Sequence, residues 1–171
     1  MSTLIRPMRI ADIDTVRAIE RASATRFLGT ALAAIAEDEP TDARTLEARI
    51  GAGDALVSAD AADTPIAFVI GRPLGDDFYV EQIDVAPDHG GKRLGAALIA
   101  ALAARGRALT LSTFRDIAWN APWYRRLGFI DVRDDALPPL LRDIRAEHIA
   151  RGLDETLRVF MHRPAGPLNL P

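Results

Sequence analysis

Two apolar spacings alternate along this chain. Short runs rich in β-branched and aromatic residues, bounded by Gly, Pro or Asp, predict strands over Thr3–Arg9, Ala55–Ala59, Ile66–Gly71, Tyr79–Val85, Ala108–Phe114, Phe129–Val132 and Thr156–His162. Between them, apolar residues three and four apart predict helices. Ile13, Val16 and Ile19 form such a stripe just after Asp12, a residue type that caps helices. Leu46 and Ile50 form another behind Thr41 or Asp42, with Gly51 as its stop. Leu94, Ala97, Leu98, Ala101 and Leu102 share one helix face. Ala121–Leu127 is a short helix ended by Gly128, and Leu137–Ile149 a longer one with Leu137, Leu140, Leu141 and Ile144 inward and Gly152 beyond its end. Arg26–Pro40 is Ala-rich and reads as helical without fixed limits. Ala61–Pro65 predicts a hairpin turn, Pro73–Asp77 a loop with two acids, and residues 115–120 an irregular connection.

This order of elements predicts an α/β (α+β) fold in one domain over residues 1–163. Its sheet is mostly antiparallel at the start, with a parallel pair around residues 79–114. The Pro-rich stretch 164–171 reads as a loose tail. A chain of 171 residues suits one well-buried domain better than two.

Composition narrows the function classes. A formal charge of −3 gives no overall basic footprint, so no nucleic-acid partner is expected. The chain has no cysteine, which excludes disulfides, thiolate metal sites and a Cys nucleophile and fits a reducing compartment. The N-terminus lacks the apolar core of a signal peptide, and no apolar run approaches the roughly 20 residues of a membrane span. A soluble cytoplasmic protein with no membrane partner is expected.

The chemistry concentrates in one stretch, YVEQIDVAPDHGGKRLGAALIAALAARGR, from Tyr79 to Arg107. It reads as strand, glycine turn, helix. The unpaired N–H groups of the helix start, its positive dipole end, Lys92 and Arg93 together make a seat for phosphate. The glycines fit neither GxxxxGK[ST] nor GxGxxG, which argues against a P-loop or a dinucleotide fold.

VAPDHGGKRLGAALI resembles the acyl-CoA pyrophosphate motif of the GNAT N-acyltransferases, and NAPWYRRLGF, Asn120 to Phe129, resembles that family's second signature. The opening IRPMRIADIDTVRAIE is similar to the family's first strand and helix. The resemblance implies a GNAT-like sheet with a splayed parallel pair at strands four and five, flanked by helices. It implies acetyl-CoA as co-substrate, no metal, and direct attack of an acceptor's primary amine on the thioester. It leaves room for a homodimer. Carried over by position, the cofactor-binding residues are Ile83, Asp84, Val85, Gly90, Gly91, Lys92, Arg93, Leu94, Gly95, Ala96, Asn120 and Tyr124, with Tyr124 also the acid that serves the departing thiolate. The chain departs from the family loop at Gly90, where Gln or Arg is usual, and at Arg93, where the first glycine is usual. Ile117 stands where the family often has Asn.

Glu81 is the base candidate. Alternation puts Tyr79, Glu81, Ile83 and Val85 on one strand face and Gln82 and Asp84 on the other, and so polar a central strand borders a cleft rather than a dry core. Glu81 or Asp84 could instead pair with an arginine, or relay a proton through water. Glu20, Asp76 and Asp77 could attract a cationic acceptor. His89, His148 and His162 show no ligand spacing and read as surface or boundary residues. Trp119 and Trp123 suit a core or an acceptor-site wall equally, and Arg125 and Arg126 read as a solvated helix face. A non-catalytic acyl-CoA-binding or regulatory protein on the same scaffold is the alternative to an enzyme.

Overall fold

The computed structural model describes residues 3–168. Seven strands hydrogen-bond in the order β1-β2-β3-β4-β5-β7-β6. They are β1 (Leu4–Pro7), β2 (Ala55–Ala59), β3 (Pro65–Leu74), β4 (Asp77–Val85), β5 (Leu109–Phe114), β6 (Ile130–Val132) and β7 (Arg158–Arg163). The α-helices are α1 (Ile13–Ala24), α2 (Ala43–Ala52), α3 (Leu94–Ala103), α4 (Ala121–Arg126) and α5 (Pro139–Ala150). The sheet is antiparallel except for β4 with β5, as the element order predicted. Contacts divide the chain into two compact units. The first holds the chain up to Gly71 plus Gln82–Ala101, the second Arg72–Glu81 and the chain from Leu102 on. Among the described residues no helix is long and apolar enough to cross a membrane.

In the first unit, β2 pairs with β1 and with β3. The stripe Ile13, Val16, Ile19 of α1 is buried together with Met8, Leu46, Val57, Phe68 and Ile70. Asp12 stands before α1 but does not cap it. Its carboxylate accepts from the Arg9 N–H at 2.7 Å and from the Arg6 guanidinium at 2.8 and 3.1 Å. A buried arginine outcompetes the first-turn amides, because burial without a counter-charge would cost several kcal/mol. Asp42 does cap α2, accepting from the Thr45 N–H at 2.9 Å. The helix runs past Gly51 to Ala52, and Gly53, left-handed at φ 76°, is the residue that ends it. The Ala-rich stretch 26–40 forms no α-helix, only 3₁₀ turns at Thr25–Phe27 and Ala33–Glu37. Its apolar residues lack a periodic face to bury, and propensity alone does not hold so short a helix.

In the second unit, β4 pairs in parallel with β5 through Phe78–Leu109, Tyr79–Thr110 and Val80–Leu111, and β7 pairs with β5 and β6. Tyr79, Leu137, Leu141, Ile144 and Phe160 form its core. Leu140, expected inward, is exposed. The helix begins at Pro139, and the 100° step per residue turns Leu140 off the face carrying Leu141 and Ile144. The expected loop at Pro73–Asp77 shrinks to Gly75–Asp76, because β3 continues through Leu74 and β4 starts at Asp77. Gly75 sits at φ 59°, where the tight turn needs a left-handed residue. The start of the expected tail is tied down. Arg163 donates to the carbonyls of Leu127, Pro164, Gly166 and Pro167 at 2.7–3.2 Å. The last three tail residues lie outside the described ones.

Candidate active site

The first unit carries the end of β4, the loop and the start of α3. Pro87–His89 makes a 3₁₀ turn, since Pro87 has no N–H to continue the ladder. Gly90, Gly91, Lys92 and Arg93 follow, all exposed. Gly91 is left-handed at φ 74°. Arg93 adopts φ 60°, so the chain keeps a left-handed backbone at a position where the residue is not glycine. For an L side chain that conformation costs about 1–2 kcal/mol. The Arg93 carbonyl accepts the Ala97 N–H at 3.0 Å, which starts the α3 ladder. A Cβ on Gly90 would stand 3.3 Å from the Pro87 carbonyl oxygen, so the turn is tight there. Lys92 Nζ reaches the Asp88 carbonyl at 3.3 Å. An exposed loop with two left-handed residues, two cations and the N-terminus of a 10-residue helix fits a pyrophosphate group.

The stripe drawn on α3 is too narrow. Leu94, Leu98 and Leu102 are buried, but so are Ala96, Ile99 and Ala103, which leaves little of the helix wet. Its continuous Leu, Ile and Ala run allows this, because no polar residue between Leu94 and Ala103 demands solvent.

Behind the loop, β4 carries Ile83, Asp84 and Val85, beyond the three residues that pair with β5. Asp84 is buried, 8% exposed. It accepts from the Ser23 hydroxyl, from Gln82 Nε2 at 2.5 Å and from Arg26 Nη2 at 3.1 Å. Burial pushes its pKa up to about 6 against those three donors. Glu20, one turn before Ser23 on α1, is pushed up to about 7 by burial and then by the charge of Asp84, against the Thr41 N–H and hydroxyl at 3.0 and 3.1 Å. Sequence reasoning missed Ser23. The signal was present, because Ser23 continues the 13–16–19 spacing and is therefore a hydroxyl on a buried face, where it needs a partner.

The second unit carries Glu81, Asn120 and Tyr124. Glu81 is half-buried and pairs with Arg72 at 3.2 Å, while Arg72 also reaches Glu147 of α5 at 2.9 Å. Two of the three acids of β4 thus have an arginine, Arg72 for Glu81 and Arg26 for Asp84. Tyr124, in α4, is buried edge-on between Trp123 and Phe129, with ring centroids 4.7 and 5.3 Å away. Trp123 therefore belongs with the tyrosine, whereas Trp119 is 37% exposed. Asn120 Nδ2 donates to Thr113 Oγ1 at 2.8 Å, and the Asn120 carbonyl accepts the Trp123 and Tyr124 N–H groups, fixing the first turn of α4. Arg125 forms a two-pronged pair with Asp131 at 3.0 and 2.7 Å on the exposed side.

Sequence spacing gave no hint of Arg158. It donates to Ser112 at 3.0 and 3.1 Å, lies 4.8 Å over the Phe114 ring, and has its pKa lowered mainly by burial, within electrostatic reach of Tyr79 and Tyr124. His148 is also a correction. It is buried, bonds Glu155 at 2.7 Å and stacks on Phe160, and burial lowers its pKa against the pull of Glu155.

Comparison with known proteins bears on these parts together. The structure resembles the N-acetylglutamate synthase of Neisseria gonorrhoeae, solved with coenzyme A and N-acetyl-glutamate, with a TM-score of 0.72 and 16% identity over 97% of this chain. The chain spans 36% of that synthase. It resembles the PaiA N-acetyltransferase of Thermoplasma acidophilum, solved with coenzyme A, with a TM-score of 0.67 and 17% identity over 96% of this chain and 99% of the other. It resembles the ribosomal-protein-S18-alanine N-acetyltransferase of Escherichia coli with a TM-score of 0.65 and 18% identity over 98% and 97% of the two chains. At such identities the likeness establishes the fold. Residues 52–131 match the acetyltransferase (GNAT) domain family, a segment that holds both the Gly90–Ala96 loop and the Asn120–Phe129 signature. That match, this fold and these two signatures in their order make the chain similar to the GNAT acyltransferases.

Proposed function

We propose that this protein transfers an acetyl group from acetyl-CoA to the primary amine of an acceptor, by direct attack and with no covalent enzyme intermediate, through one catalytic domain over residues 1–163. The observation that carries the reading is the loop ahead of α3. Its left-handed Gly91 and Arg93 turn the chain into a helix start whose N–H groups are free of the ladder. Gly90 to Ala96 hold the pyrophosphate by backbone N–H groups, with Lys92 as a point charge. The backbone of Ile83, Asp84 and Val85 lies past the β5-paired part of β4 and hydrogen-bonds the pantetheine arm. Asn120 sets the turn that presents Tyr124. The Tyr124 hydroxyl, ordinarily protonated at neutral pH, donates to the departing sulfur. Glu81 accepts the amine proton, directly or through water, with Asp84 as the alternative carboxylate. Solved neighbours hold coenzyme A, which supports the donor, and two carry names of N-acetyl transfer, which supports an amine acceptor. A cytoplasmic setting is part of the proposal and agrees with a chain without cysteine.

A second reading, acyl-CoA binding without turnover, draws support from the arginine partners of Glu81 and Asp84. Two measurements separate the readings. Acetyl-CoA and desulfo-CoA should both raise the melting temperature, and Gly95→Glu should abolish the rise by bringing bulk and negative charge to the loop. An equal rise in Gly95→Glu removes the loop from the site. Release of CoA thiol across a panel of amines identifies the enzyme, whereas a thermal shift with no release for any amine favours the binding protein.

A further inference from the structure

We propose that the second unit holds a binding site for a small primary ammonium ion with a short apolar body, in the cavity between α5 and the strands β4, β5 and β7. The cavity measures about 120 Å³. A core cavity of about 150 Å³ takes one benzene, so this one suits a body of about five carbons. Leu74, Val132 and Leu141 line its walls, and Asp77, Thr110 and His162 its polar end. Thr110 of β5 is the direct partner of His162 on one side and of Tyr79 on the other, and Asp77 shares the Tyr79 face of β4. Side chains of the two flanking strands therefore meet over β5, with Asp77 Oδ2 3.8 Å from His162 Nε2. That gap is too long for a hydrogen bond. Between them Thr110 is buried, 2% exposed, and its hydroxyl has no hydrogen-bond partner among the described residues. A buried hydroxyl left unpaired is destabilising, and one that lines a cavity points to a ligand. The turn that presents Asp77 is pinned, since Arg107 donates to the carbonyls of Gly75, Asp76 and Asp77 at 2.6, 2.9 and 2.7 Å. A carboxylate, an imidazole nitrogen and a hydroxyl thus converge, and all three can accept. A primary ammonium brings three donors and no acceptor. An alcohol brings one donor, and a carboxylate would meet Asp77 with like charge. The ion held here is not the reacting amine, because Asp77 stands four residues before Glu81 on β4, about 13 Å at the rise of a strand. The inference holds whether or not the protein turns over acetyl-CoA.

Isoamylamine is the probe, with isoamyl alcohol and isovalerate as controls of the same skeleton. By calorimetry the amine should bind at about 1 mM or tighter, and both controls at least about tenfold more weakly. Asp77→Asn should weaken the amine about tenfold or more, the range for a hydrogen bond to a charged group. Thr110→Val separates the ligand role from a structural one, because its two effects oppose each other. Removing an unpaired buried hydroxyl should raise the melting temperature of the free protein by about 2–6 °C, and should weaken the amine about 3- to 10-fold. Amide shifts on titration should be largest at Asp77, Thr110 and His162. Equal affinity for amine and alcohol overturns the proposal, and so does equal affinity for wild type and Asp77→Asn. A lower melting temperature for Thr110→Val also overturns it, since the hydroxyl would then already be bonded. Shifts centred on Glu81 and Tyr124 assign the amine to the proposed catalytic site and overturn it too, as does a wild-type protein that binds no isoamylamine. None of these results touches the loop assignment, which the coenzyme A thermal shift tests.

Discussion

Replacing Asp84 with Asn should stabilise this protein, and by an amount that depends on pH. The carboxylate is buried on β4, and burial is the largest influence on it, ahead of the bonds from Ser23, Gln82 and Arg26. Its folded pKa stands at about 6 against an ordinary 3.8. At 1.36 kcal/mol per pKa unit, that gap corresponds to about 3 kcal/mol. The acid is raised, so the sign is the reverse of the usual carboxylate. Below about pH 4 the group is protonated in both states and costs nothing. From about pH 4 to 6 the unfolded chain releases the proton and the folded chain keeps it, so stability falls as pH rises. Above about pH 6 the whole penalty stands. Asparagine mimics the protonated form, with an oxygen for Ser23 and Arg26, and Gln82 can present its own oxygen to the new amide. Urea unfolding of both proteins from pH 4 to 8 should show a difference near zero at pH 4, growing to about 2–3 kcal/mol in favour of Asp84→Asn by pH 7. Comparing the two at each pH removes the groups they share. A variant less stable than wild type by 1 kcal/mol or more at pH 8 refutes the reasoning, because the three donors would then outweigh burial. The same variant should lower the Glu20 pKa from about 7, since the Asp84 charge helps to raise it.

Two further outcomes are expected. Tyr124→Phe keeps the edge contacts to Trp123 and Phe129, so melting temperature and coenzyme A affinity should hold while turnover falls roughly 10- to 1000-fold, at or below the usual acid–base range. A rate within twofold of wild type with a true acceptor would remove Tyr124 from the acid role. Arg163→Met leaves four backbone carbonyls without their donor and should lower the melting temperature by about 5–10 °C, with Arg163→Lys recovering only part because one ammonium cannot reach them all; an unchanged melting temperature would show that water replaces the guanidinium at no cost.

The sequence by itself determined the parts whose signal is local. Strand and helix existence followed from spacing: Ala55–Ala59 appears with the predicted limits, and the Ile13–Val16–Ile19 stripe is buried as drawn. The loop ahead of α3 and the family followed from short motifs, because left-handed turns and helix starts constrain residue type over a few positions. Tertiary structure decided whatever depends on partners far along the chain. Asp12 lost its cap role to Arg6, since a buried guanidinium needs a carboxylate more than a helix start does. Asp84 found Ser23 and Arg26 from 58 to 61 residues away, Arg158 reached Ser112, and His148 turned inward onto Glu155 and Phe160. Each of these pairings joins groups that no periodicity relates, and those of Asp84 bear on the charge that a candidate site residue carries. Spacing could therefore place Glu81 and Asp84 on β4, but the arginine that each of these two meets, and the proton that Asp84 keeps up to about pH 6, are properties of the packed molecule.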